Sequence, residues 1–247
     1  CFWAIPYGLG AGGVDAVLNN YVALHYRSHH LNWLHAMWGI GATTGPFIMG
    51  WSLAGIYTWH GGYFVIGVIQ VIIVILLCIS LPLWKQQKET EKAAKGEVLS
   101  FREVLSIKGS KEIMTAFFCY CAVEQTTGLW AASYLVFKGG LSEEMASRFA
   151  GFFFMGIMVG RLISGFMTFR FNDAQMIRIG CVGVFIGLIA ILLPFGGFFT
   201  VFGLVLLGLG CAPIYPAIVH SIPGYFGKER SQAVMGVQVA GAYVGLC

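Results

Sequence analysis

Two long stretches of this chain carry no formal charge: no Asp, Glu, Lys or Arg occurs from Ser28 to Trp84, or from Ile179 to Gly227. Soluble domains are about 25% charged and have no reason to keep ions out of runs this long. A bilayer-spanning helix needs about 20 apolar residues, so each desert has room for two helices joined by a tight turn. The composition agrees, with 57% hydrophobic and 11% charged residues and a mean hydropathy of +0.77. The chain is expected to be an all-α, polytopic membrane protein.

Hydropathy windows predict eight spans, at about 1–24, 31–56, 62–84, 113–137, 147–169, 178–195, 198–222 and 231–247. The turns at Tyr57–Tyr63 and Pro194–Phe199 are Gly-rich and aromatic, as at a membrane interface. The chain opens at Cys1 inside one apolar run and stops at Cys247 inside another, so a fragment of a longer polypeptide is expected.

Basic residues set the orientation. Loops on one side hold twelve Lys and Arg, namely Arg27, Lys85, Lys88, Lys92, Lys95, Arg102, Lys108, Lys111, Arg170, Arg178, Lys228 and Arg230, and the opposite loops hold only Lys138. The rich side is expected in the cytoplasm of a plasma-membrane protein, with the loop 85–112 there. This asymmetry accounts for the net charge of +4 without a nucleic-acid partner. Within the loop, Ser100-Phe101-Arg102-Glu103 has capping-box spacing and should open a short amphipathic helix over Phe101–Ile107. A solvated linker with a surface-lying helix is the plain reading; a regulatory or lipid-binding role is the alternative.

Against this background two carboxylates stand out. Asp15 and Glu124 fall in the middle of predicted spans, where even low estimates put a central charge at about 2.5 kcal/mol or more. Burial destabilises an ionised carboxylate, which lets such a group take a proton on one side of a membrane and release it on the other. A permanently protonated acid tying two helices together is the structural alternative for each. Asn19, at i+4 from Asp15, shares its helical face, and Tyr120 and Thr127 share a face with Glu124.

An internal repeat adds architecture. Gly8-Leu9-Gly10-Ala11 returns as Gly208-Leu209-Gly210-Cys211, and each copy precedes a basic loop and a span opening on a polar amide, Asn32 or Gln232. Six-span parallel repeats mark one large class of transporters. The expected division is residues 1–84 as the end of a first six-helix bundle, 85–112 as the joint, and 113–247 as most of a second bundle.

The chain resembles the major facilitator superfamily, and within it the fucose-permease-like branch of sugar–proton symporters. The motifs are Gly8-Leu9-Gly10 through Asp15, Asn19, Asn20 and Tyr21; Asn32-Trp33-Leu34-His35; and Phe118-Cys119-Tyr120 through Glu124, Gln125, Trp130, Ser133, Tyr134 and Leu135. Gly160-Arg161 with Gly165 and Pro213-Ile214-Tyr215-Pro216 complete them. The resemblance covers the whole chain as transmembrane helices four to eleven of twelve. It implies a central cavity opening alternately to either side, with Asp15 and Glu124 on lining helices of opposite halves. Asp15 falls where fucose permeases place a proton-coupling acid, with Asp replacing the usual Glu. Glu124 departs from the pattern, because an amide is expected there. The candidate solute-contacting set is Asn19, Asn20, His35, Trp38, Gln125, Trp130, Tyr134, Tyr215 and Gln238, with ordinary helix packing as the alternative for His35.

Arg161 lies about 12 Å by helical rise from the basic end of its span. It is expected to serve a gate or the architecture, or to pair with a carboxylate such as Glu124. Pro213 and Pro216 should break the helical ladder around Tyr215, at a cavity wall or a packing kink. His25, His29 and His30 have metal-like spacing but no neighbouring Cys or carboxylate, so no metal is expected. The seven cysteines are scattered without a Cys-x-x-Cys pair, and glycines four apart (8/12, 41/45, 156/160, 183/187, 241/245) suit close helix packing. No cofactor or enzymatic constellation is expected. The leading reading is a monomeric secondary transporter of a small polar solute, a sugar first, coupled to protons. An exporter or uniporter of another solute is the alternative; a receptor, scaffold or intramembrane enzyme is more remote.

Overall fold

The structure, a computed structural model, describes residues 4–54, 58–84, 99–193 and 197–245. The Lys/Glu-rich linker over 85–98 and the turn residues 55–57 and 194–196 lie outside the described residues, as do both chain ends. Among the described residues there are nine helices and no strand. They are α1 (Ala4–His25), α2 (Ser28–Ala54), α3 (Thr58–Trp84), α4 (Phe101–Ser106), α5 (Ser110–Phe137), α6 (Glu143–Met167), α7 (Asp173–Leu192), α8 (Gly197–Phe226) and α9 (Lys228–Gly245).

The eight long helices overlie the eight expected spans. Four of them are apolar enough to cross a bilayer by length and composition alone, over Trp59–Pro82, Phe149–Met167, Asp173–Leu192 and Phe199–Phe226. The polar residues that make α1, α2 and α5 interesting also lower their hydropathy.

Local chemistry sets the ends. Ser100 and Glu103 form the expected capping box: the Ser100 N–H donates to Glu103 Oε2 at 2.6 Å, and the Glu103 N–H donates to Ser100 Oγ at 3.5 Å. The short helix α4 then buries Val104 completely. A second box lies ahead of the apolar run that begins near 178. Asn172 Oδ1 accepts from the Gln175 N–H at 2.9 Å and Gln175 Oε1 from the Asn172 N–H at 3.0 Å. This cap starts α7 at Asp173 rather than at the expected 178, because capping satisfies orphan backbone donors that apolarity cannot. Before α5, Gly109 takes a left-handed conformation (φ 89°) that lets the chain turn from α4 into the span.

Two compact units are present, one formed by 1–36 with 96–247 and the other by 37–95, so the division falls inside α2. In the smaller unit α3 exposes apolar side chains on every side, from Val68 to Leu81. Lipid is the solvent that suits such a helix.

In the larger unit α8 packs against α6 and α7 through glycines. A Cβ added at Gly187 would lie 2.6 Å from the Leu207 nitrogen, and one at Gly156 would lie 2.7 Å from the Val205 oxygen. Side chains there would force the helices apart, so the pairs 156/160 and 183/187 mark close contacts. Gly8, Gly41 and Gly45 have no described neighbour within 4 Å of the added carbon. The expected break at the prolines does not occur. Helix α8 runs unbroken through Pro213, Pro216 and Pro223, although each proline removes one ladder donor.

Candidate functional site

Helix α1 presents Asp15 and Asn19 on one face, and Asn19 Nδ2 donates to Asp15 Oδ1 at 2.8 Å. Because the amide nitrogen is committed there, Asn19 Oδ1 remains as acceptor. It receives His35 Nε2 from α2 at 3.0 Å, which assigns the proton of that contact to Nε2 of the ring. Asn19 is 1% exposed, so a mispaired amide would be costly at this point.

From His35 the contacts pass to the other helices. Arg161 of α6 donates through Nη1 to the His35 carbonyl at 3.3 Å. Its Nη2 lies 3.8 Å from Glu124 Oε2 of α5, with the two side chains 4% and 17% exposed. The Tyr120 hydroxyl donates to that same Glu124 oxygen. Tyr215 of α8 closes the assembly. Its ring meets the His35 ring edge-on with centroids 4.5 Å apart, and it packs on Phe117 at 4.9 Å and Tyr120 at 6.2 Å. Its hydroxyl is also a hydrogen-bonding neighbour of the Asp15 carboxylate.

Asp15, Asn19, His35, Arg161, Glu124 and Tyr120 thus form one string of polar contacts across α1, α2, α6 and α5, with Tyr215 of α8 against its middle. Two carboxylates, one guanidinium and one imidazole meet here inside apolar helices. Such a set can bind hydroxyl groups, and it can hold or pass a proton.

Trp130 is 64% exposed and Trp38 is 52% exposed, the latter in the smaller unit. The Tyr134 hydroxyl donates to the Ile191 carbonyl of α7 at 3.2 Å, a helix-to-helix tie. Gln125 is partly buried. Asn20 and Gln238 are 7% and 1% exposed. Asn20 Oδ1 and both amide atoms of Gln238 have no hydrogen-bond partner among the described residues. Buried amides left open in this way suit a polar solute or ordered water.

Sequence reasoning kept Tyr120 as a face-sharing neighbour of Glu124 without placing it in the site, although the i, i+4 spacing was the available signal. It had no signal for a second cluster, in which Asp173 of α7 meets His220 of α8 and Ser28 of α2.

A family profile described as Major Facilitator Superfamily matches residues 1–247. Among curated relatives, the glucose/mannose transporter GlcP of Bacillus subtilis (strain 168) is 22% identical over 253 residues, covering 98% of this chain and 61% of that protein. Bypass of stop codon protein 6 of Saccharomyces cerevisiae is 25% identical over 197 residues, covering 70% of this chain and 39% of that protein. The chain therefore spans 61% or less of the length of the curated relatives it matches. With an all-helical fold and long apolar helices behind the match, the chain belongs to the Major Facilitator Superfamily of multi-pass membrane transporters of small solutes.

Proposed function

We propose that the full-length protein is a proton-coupled transporter of an uncharged polar solute, a sugar first, working by alternating access. The observation that carries this reading is the string of contacts from Asp15 through Asn19, His35 and Arg161 to Glu124. Asp15 binds the coupling proton. Asn19, Asn20, His35, Tyr215 and Gln238 supply donors, acceptors and ring faces for a hydroxylated solute, with Gln125, Trp38, Trp130 and Tyr134 as further candidate contacts. Glu124 is the second acid, and Arg161 holds it in place.

The charge count supports an uncharged cargo. With both acids ionised and Arg161 charged, the three groups sum to −1, and one proton on Asp15 brings them to zero. The cation is already paired with Glu124, which disfavours an anionic solute. The name of the Bacillus relative supports a sugar.

On this reading residues 1–84 complete a first six-helix half and residues 113–247 form most of a second. The loop 85–112 joins them in the cytoplasm of a plasma-membrane monomer. The test is uptake by the full-length protein in proteoliposomes under an imposed pH gradient, with labelled glucose, mannose and fucose as the first panel. Accumulation that collapses with a protonophore is the expected result. Uptake that equilibrates without accumulating, whatever the gradient, would make the protein a uniporter.

A further inference from the structure

Away from the string of contacts between Asp15 and Glu124, a cavity of about 410 Å³ opens between α4 and the start of α9. Leu99, Arg102, Glu103, Ser106 and Ile107 line it from α4 and its flanks, and Arg230 lines it from the first turn of α9. The five residues on the α4 side recur every three or four positions, so they form one helical stripe. Small-ligand sites start at about 300 Å³, and the space suits a compact group.

The charges lining the cavity are two guanidiniums and one carboxylate, and the carboxylate is engaged elsewhere. Glu103 Oε2 accepts from the Ser100 N–H at 2.6 Å and from the Ser100 hydroxyl at 2.7 Å, closing the cap of α4. The Arg102 guanidinium has no hydrogen-bond or ion-pair partner among the described residues. Helix α9 opens on Lys228, Glu229 and Arg230, and two cations in a first turn oppose the helix dipole, which a bound anion offsets. The α4 side is held in place, because Val104 is fully buried behind it. The apolar span of α8 ends at Phe226, just before α9 begins at Lys228. The cavity therefore lies at the level of the lipid headgroups, with Leu99 and Ile107 as apolar walls beside the cations.

We propose that this cavity binds a phosphate group carried on a small organic body, with Arg102 and Arg230 on the phosphate and Leu99 and Ile107 against the body. Guanidinium groups match phosphate oxygens through paired N–H donors, which is why arginine suits this task. The phosphate is the head of an anionic phospholipid or belongs to a free phosphate ester, since both present the same chemistry. Its binding ties α4 to the start of α9.

The test uses the full-length protein in two arms. In detergent, glycerol 3-phosphate is titrated and binding is followed by calorimetry. In nanodiscs of phosphatidylcholine with phosphatidic acid, the lipid retained by the protein is identified by native mass spectrometry. Arg102→Gln and Arg230→Gln should each weaken binding about tenfold or more, while Lys111→Gln, a cation outside the cavity, should leave it unchanged. Saturable binding of glycerol 3-phosphate supports a free ester as the source. Selective retention of phosphatidic acid without it supports a lipid headgroup. Binding in neither arm, or equal loss in all three variants, would overturn the site. A further measurement needs no variant. The bound phosphate, from whichever source, should slow amide exchange over Phe101–Ser106 in the unaltered protein, and exchange there that ignores it would refute the proposal.

Discussion

Asp15 and Glu124 occupy the two ends of one string of contacts, yet they have unlike neighbours. Glu124 faces the Arg161 guanidinium and accepts from the Tyr120 hydroxyl. The polar neighbours of Asp15 are an amide and a phenol, Asn19 and Tyr215. A carboxylate beside a buried cation is compensated while ionised, and one among neutral donors is compensated only in part. On the proposed transport reading, Glu124 therefore serves as the fixed partner of Arg161 and Asp15 as the group that carries the coupling proton.

The sharpest break of that comparison is Asp15→Asn. Gradient-driven accumulation should vanish while solute exchange between the two sides persists, measured by counterflow in proteoliposomes. Equal accumulation in the mutant and the unaltered protein would move the coupling proton elsewhere. Next comes Arg161→Gln, which leaves the largely buried Glu124 without its cation. Breaking such a pair costs about 3–5 kcal/mol, and a clear fall in thermal unfolding temperature is expected. Adding Glu124→Gln should restore part of it, since the uncompensated charge is then gone. If the double variant melts as low as the single one, the two side chains do not act as a pair.

A smaller effect is expected from Asn19→Ala, which removes the bridge between Asp15 and His35. The hydrogen bonds lost correspond to about a tenfold rise in KM for the transported solute. An unchanged KM would place Asn19 outside the site.

The mildest prediction concerns Glu103, an exposed acid outside the spans. The Ser100 hydroxyl and backbone N–H hold its carboxyl below the ordinary glutamate value. A depressed folded pKa stabilises above the unfolded value and stops doing so as pH falls through the folded one. Amide protection over Phe101–Ser106 should therefore hold from neutral pH down to the usual glutamate range and fade below it. Glu103→Ala should show the low protection at every pH. If protection in the unaltered protein stays flat through the acid range, the cap contributes nothing to α4.

Much of this was legible beforehand because its causes are local. Charge-free runs implied long helices in lipid, and the Ser100–Glu103 spacing announced the cap of α4. The Asn172–Gln175 cap could have been read by the same rule, but hydropathy drew attention to the apolar run instead. The helical spacing of Asn19 from Asp15 anticipated their bond. Tyr134 and Trp130 shared the expected stretch of α5, yet spacing along one helix says nothing about which neighbour stands opposite. Tyr134 bonds α7 and Trp130 is exposed.

The sequence by itself determined the solvent, the helices and the presence of two stranded acids, since hydropathy, capping and helical periodicity act over a few residues. Only the tertiary structure decided which acid faces Arg161, that His35 bridges Asn19 to it, and that Asp173 meets Ser28 and His220. Those partners come from different helices, and their meeting depends on how glycine-lined and proline-bearing helices pack, which no local pattern encodes.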